Sequence, residues 1–163
     1  MLPPETLAQA QALLTKLQRL ELTLATAESC TGGLIAGALT AIPGSSATLL
    51  GGFVTYSNAM KTKLLGVSED ILEGVGAVSE ACARDMAAGA LQVASADIAV
   101  SCTGIAGPDG GSAEKPVGLV FIGVARRGMG TEVKRFVFPG DRAAIRAATV
   151  VQALKLVERV ADA

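Results

Sequence analysis

The sequence predicts an α/β fold, a three-layer α/β/α single domain with a mixed, mostly parallel sheet of about five strands. Three observations carry that expectation. Apolar strand-like runs alternate with helical segments through two-thirds of the 163 residues. A hairpin and one long helix then finish the chain, and no repeat or linker divides it, so residues 1–163 read as one domain. A chain of this length buries roughly two-thirds of its unfolded surface.

The elements follow in order. Pro3-Pro4 precedes Leu7, Ala10, Leu14, Leu17 and Leu20, an apolar helical stripe with proline in the first turn, where a missing N–H costs nothing. Residues 22–26 read as a strand that breaks into Ala27-Glu28-Ser29-Cys30-Thr31-Gly32-Gly33 before a helix at 34–39. Pro43-Gly44-Ser45-Ser46 closes that helix or begins another short one. Residues 51–57 form the second strand, and 58–63 look helical. Ser68 is placed to cap a short helix. Val78-Ser79-Glu80 opens a longer one with Cys82, Met86, Ala90 and Val93 at helical spacing. Residues 97–102 are the third strand, followed by Thr103-Gly104 and a long glycine-rich loop. Residues 117–125 and 131–138 pair as a hairpin, and Gly140-Asp141-Arg142 begins the last helix.

Composition excludes several classes of function. No apolar run approaches the ~20 residues of a membrane span, and the opening Met1-Leu2-Pro3-Pro4-Glu5 lacks the basic region of a signal peptide. A net charge of −1 and only one tyrosine and four phenylalanines speak against nucleic-acid binding. Cys30, Cys82 and Cys102 form no Cys-x-x-Cys pair and suit reduced thiols in a cytoplasmic protein. The chain has no histidine, which removes every Ser-His-Asp or Cys-His mechanism from it. Asp109 and Glu114 alone make a poor metal site, so neither metal nor cofactor is expected.

Three strand ends carry polar groups: Ser29 with Cys30 and Thr31, Tyr56-Ser57-Asn58 with Lys61, and Cys102-Thr103-Gly104. If the strands are parallel, these ends share one edge of the sheet, where α/β proteins bind ligands. A site without histidine narrows to a hydroxyl and a lysine whose pKa burial has lowered. Lys61 lies one helical turn past the second strand and can point back over the sheet, whereas Lys63 should face elsewhere. Ser29 or Thr31 would otherwise be a helix cap, and Cys30 is an alternative nucleophile. Ser46 offers a second hydroxyl for proton relay, Tyr56 either packs or takes part in the site, and Arg142 is offset by Asp141 or turned towards a bound anion.

Several blocks occur together and in order: Thr26-Ala27-Glu28-Ser29-Cys30-Thr31-Gly32-Gly33, Gly52-Phe53-Val54-Thr55-Tyr56-Ser57-Asn58, Gly74-Val75-Gly76-Ala77-Val78-Ser79-Glu80, Gly104-Ile105-Ala106-Gly107-Pro108-Asp109-Gly110-Gly111, Lys115-Pro116-Val117-Gly118 and Gly140-Asp141-Arg142. Over nearly its whole length the chain resembles the C-terminal domain of the CinA family, in the form also found alone as nicotinamide-nucleotide amidohydrolase. Met60 and Lys63 depart from the family pattern. The resemblance implies hydrolysis of the carboxamide of nicotinamide mononucleotide (NMN) to nicotinic acid mononucleotide and ammonia, without a metal. It implies Ser29 as nucleophile and Lys61 as base, with Ser46 and Tyr56 as further catalytic residues. Thr31, Gly32, Gly33, Thr103, Gly104, Gly107 and Arg142 would then bind substrate, Arg142 at the phosphate. The rival expectation is a non-catalytic nucleotide-binding or competence-related interaction domain. An Ala-rich chain of this size also suits a homo-oligomer such as a dimer, although no interface is legible.

Overall fold

The computed structural model describes residues 2–163. Its elements are α1 (Pro4–Arg19), β1 (Leu24–Glu28), α2 (Leu34–Thr40), a 3-10 turn (Ser45–Ala47), β2 (Leu49–Val54), α3 (Asn58–Leu65), α4 (Glu69–Glu73), α5 (Glu80–Ala94), β3 (Ile98–Gly104), β4 (Leu119–Arg126), β5 (Gly130–Val137) and α6 (Arg142–Ala161). The five strands form one sheet in the order β2-β1-β3-β4-β5. β1 runs parallel to both β2 and β3, while β4 lies antiparallel to β3 and β5. The expected mixed α/β/α architecture is therefore present, parallel at its centre and antiparallel beyond β3. Among the described residues no helix is long and apolar enough to cross a membrane.

Strand boundaries differ from the sequence expectation for local reasons. The first strand begins at Leu24 rather than residue 22 because Thr23 is held by a side chain: its N–H and hydroxyl both donate to Asp97 Oδ2, each at 2.8 Å. The second strand ends at Val54 because Ser57 serves as the N-cap of α3, accepting from the Met60 N–H. Ser68, Ser79 and Asp141 likewise cap α4, α5 and α6, each satisfying a backbone donor that the first helical turn leaves unpaired.

Two apolar layers sandwich the sheet. Leu13, Leu14 and Leu17 of α1, Ile35 and Leu39 of α2, and Ile145, Val150 and Leu154 of α6 bury against one face. Leu65 at the end of α3 and Cys82, Met86 and Ala90 of α5 cover the other. β1 is buried along its whole length, and its side chains alternate between these layers: Leu24 joins the first cluster, Ala25 and Ala27 the second. All three parallel strands end on the same edge, at Glu28, Val54 and Gly104.

The second layer is tightly drawn because its contact residues are small. A Cβ at Gly89 of α5 would lie 2.0 Å from the Leu65 carbonyl oxygen, so α5 touches the end of α3 backbone to backbone. This contact sets the depth of α3, the helix that carries Lys61. Gly89→Ala is expected to overpack it and cost about 1–3 kcal/mol. At ~2–4 °C per kcal/mol for a domain of this size, the melting temperature should fall by several degrees in a thermal scan.

Candidate active site

Ser29 begins the turn between β1 and α2. Its N–H donates to the Cys102 carbonyl at 3.1 Å, continuing the β1–β3 pairing one residue past the strand. The turn is closed by the Gly32 N–H donating to the Ser29 carbonyl at 3.0 Å, with Gly32 and Gly33 both at positive φ, 58° and 106°. Such φ values strain any residue with a Cβ, which explains the glycine pair. Neither Ser29 nor Thr31 caps α2. Gly33 occupies the N-cap position, and the buried Glu28 carboxylate supplies the cap by accepting from the N–H groups of Ile35 at 2.8 Å and Ala36 at 3.0 Å. The Ser29 hydroxyl is thus left for other work.

Its partner is Lys61. The Lys61 side chain folds back from α3 over the sheet edge until it is only 1 % exposed, and its Nζ lies 3.0 Å from Ser29 Oγ. Nζ also donates to the carbonyls of Thr55 at 2.8 Å and Tyr56 at 3.3 Å. Lys63, two residues on, is exposed. Among the described residues no carboxylate pairs with Lys61, and burial pushes its pKa below the ordinary 10.5, against a weaker opposing influence from the nearby cysteines. The geometry suits the neutral amine. Carbonyls only accept, so the two hydrogens of an uncharged amine satisfy Thr55 and Tyr56 and leave its lone pair to the Ser29 hydroxyl.

The adjacent residue points the other way. Cys30 packs in the apolar layer beneath α6, as β1 alternation requires, near Cys102. The neighbouring Cys30 thiol and full burial raise the pKa of Cys102, whose Sγ lies 3.0 Å from Thr31 Oγ1. The three thiols are free and buried.

A cleft of about 310 Å³ opens over the pair, walled by Tyr56, Asn58, Val78, Thr103 and the 104–110 loop. The Thr103 hydroxyl donates to the Ala77 carbonyl at 2.8 Å and holds the 74–78 loop against the third strand end. Arg142, the first residue of α6, spans the mouth: one guanidinium nitrogen donates to the Gly107 carbonyl at 2.8 Å and another to Tyr56 Oη at 3.0 Å. Asp141 is occupied by its cap, and among the described residues no carboxylate pairs with Arg142.

The structure therefore brings together Ser29, Lys61, Tyr56, Thr103, Gly104, Gly107 and Arg142. Thr31, Gly32 and Gly33 shape the Ser29 turn but do not line the cleft. Ser46 is not brought to the site within this chain. It sits exposed on the turn before β2, at the opposite end of that strand from Tyr56, and a six-residue strand spans ~20 Å. Arg146 lies one turn beyond Arg142, near the start of α6. In the structure its Nε and a terminal nitrogen donate to the carbonyls of Cys30 at 3.1 Å and Thr31 at 3.0 Å. The signal was present in the sequence, since a cation near a helix N-terminus needs acceptors that the helix does not supply.

A buried serine–lysine pair at the carboxyl edge of a parallel sheet, with an arginine at the cleft mouth, defines a histidine-free α/β domain of a recognisable kind. The chain belongs to the CinA C-terminal domain family, whose profile matches residues 6–161. It is 58 % identical over 129 residues to a protein of Enterobacter agglomerans named nicotinamide-nucleotide amidohydrolase PncC, covering 79 % of each chain. A putative competence-damage inducible protein of Symbiobacterium thermophilum is 50 % identical over 163 residues, but these span 95 % of this chain and 38 % of that longer protein. Among solved structures, the competence/damage inducible protein CihA of Agrobacterium tumefaciens superposes with a TM-score of 0.96 at 46 % identity, covering 100 % of this chain and 99 % of that one. A CinA superfamily protein of Escherichia coli gives 0.90 at 35 % identity, covering 100 % and 94 %.

The depressed pKa of Lys61 makes stability depend on pH with a fixed sign. Below that pKa the native state carries a buried charge at full cost. Between it and 10.5 the unfolded chain holds a proton that the native state has released, so stability rises with pH. Denaturant unfolding of wild type and Lys61→Met at pH 7 and 9 should show wild type gaining on the variant at the higher pH; parallel behaviour would mean the amine is not depressed.

Proposed function

We propose that this protein hydrolyses the carboxamide of NMN, giving nicotinic acid mononucleotide and ammonia, with Ser29 as nucleophile and Lys61 as general base. The observation that carries the reading is the 3.0 Å contact between Ser29 Oγ and a buried amine that lacks a counter-charge. The name of the Enterobacter relative, identical at more than half of the aligned positions, supports the substrate.

In this mechanism the neutral Lys61 amine takes the hydroxyl proton as Ser29 Oγ attacks the carboxamide carbon. The tetrahedral intermediate collapses when Lys61 returns the proton to the departing nitrogen, releasing ammonia and leaving an ester on Ser29. Water, deprotonated by the same amine, then hydrolyses that ester and restores the serine. Lys61 needs no relay through Ser46, because it already touches the nucleophile. Arg142 holds the nucleotide phosphate by exchanging its neutral acceptors, the Gly107 carbonyl and Tyr56 hydroxyl, for an anionic one. The 104–110 loop and Thr103 enclose the nicotinamide and ribose.

Ser29→Ala and Lys61→Ala should each lower ammonia release from NMN by ~10⁴-fold or more, as loss of either member of a concerted pair does, while calorimetric NMN binding to Ser29→Ala persists. Turnover by Ser29→Ala at the wild-type rate would end this reading. In wild type, kcat/KM should rise with pH through a pKa below 10.5, because the base acts unprotonated. Arg142→Ala should raise KM by roughly 10–100-fold, the worth of charge-assisted phosphate contacts, with a smaller change in kcat.

A further inference from the structure

The turn that carries Ser29 is gripped from the α6 layer by Arg146, a contact the mechanism above does not use. Arg146 donates to two successive carbonyls, those of Cys30 and Thr31, and does not line the Ser29 cleft. Among the described residues the N–H groups of Cys30, Thr31 and Gly33 have no hydrogen-bond acceptor, whereas those of Ser29, Gly32, Leu34, Ile35 and Ala36 are all paired; of the three, Cys30 borders the Ser29 cleft and Thr31 is fully buried. A free donor on the residue directly after a nucleophile is what an acyl-transfer site offers its oxyanion.

Its direction follows from peptide geometry. In a trans peptide the carbonyl and the next N–H point in opposite senses. Arg146 draws the Cys30 carbonyl towards α6 and so fixes that residue from its far side. The Ser29 carbonyl is drawn into the turn by the Gly32 N–H, which turns the Cys30 N–H outward. We propose that Arg146 is a positioning residue that holds the Cys30 and Thr31 carbonyls on the α6 side, so that the N–H of Cys30, which borders the cleft, forms the oxyanion site beside Ser29. The proposal rests on Ser29 being the nucleophile. The Glu28 carboxylate anchors the same turn from its far end by capping α2, so Arg146 fixes the orientation of the middle peptides rather than the existence of the turn.

Arg146→Met and Arg146→Lys test this with NMN and its thioamide analogue, in which sulfur, a poor hydrogen-bond acceptor, replaces the reacting oxygen. Arg146→Met is expected to lower kcat for NMN by ~10²–10³-fold, the cost of a lost oxyanion donor, with KM little changed. Arg146→Lys, able to reach one carbonyl, should fall between. The wild-type preference for oxygen over sulfur should shrink at least ~10-fold in Arg146→Met, because the donor that senses the atom is displaced. A purely structural arginine would lower the melting temperature and slow both substrates equally. That outcome, or an unchanged kcat in a folded Arg146→Met, overturns the proposal. If Arg146→Met does not fold, Arg146→Lys decides by the same ratio. Labelling of Ser29 by a fluorophosphonate reads the donor independently of substrate identity. Wild type that labels readily but leaves NMN intact would refute the NMN reading alone, and slower labelling of the Arg146 variants would still support the oxyanion role. Equal labelling rates would remove it.

Discussion

The site depends on one unfavourable burial. Placing a lysine amine where little water reaches it costs several kcal/mol if the charge is kept, and among the described residues no carboxylate offsets that cost. The fold tolerates it by supplying two carbonyls and one hydroxyl as neighbours, which match an uncharged amine. The backbone contact between α5 and the end of α3 keeps the amine at that depth. A domain without histidine thereby acquires a group that titrates below its usual range, tuned by desolvation rather than by a charged partner.

Around that amine, the two helical layers contribute separately to the turn after β1. The α3 side brings Lys61 to Ser29, and the α6 side brings Arg146 to the carbonyls of Cys30 and Thr31. Arg142, one turn earlier on α6, reaches across the mouth to Tyr56 and the 104–110 loop. The first two turns of α6 are thus bound to all three strand ends through side chains, and a shift of that helix would alter the mouth and the Ser29 turn together.

Much of this was legible in the residue order, and the failures have physical causes. Alternating apolar runs announced the layers, and the caps Ser68, Ser79 and Asp141 lie where their types and positions suggest. Lys61 could be placed on the correct side of α3 because one helical turn has a fixed length and direction. The cap of α2, the Glu28 carboxylate, lies seven residues upstream of an N–H it serves and so outside any local pattern, where a Ser29 or Thr31 hydroxyl stood only as the alternative to a site role. Ser46 was grouped with the site by resemblance, and only the run of β2 shows that it sits at the far end of that strand. The roles of Tyr56 divide in a way no sequence reveals: its carbonyl binds the lysine and its hydroxyl binds Arg142.

Ser29 and Cys30 are neighbours, and which of them meets Lys61 is decided by counting from Leu24 along a fully buried strand. Which side chain faces the amine is therefore a matter of parity. Removing a single residue within β1 would exchange the two faces beyond the deletion, setting the thiol before the amine and turning the hydroxyl into the apolar layer. The chemical class of the site is written in the length of a strand as much as in the residue at its end.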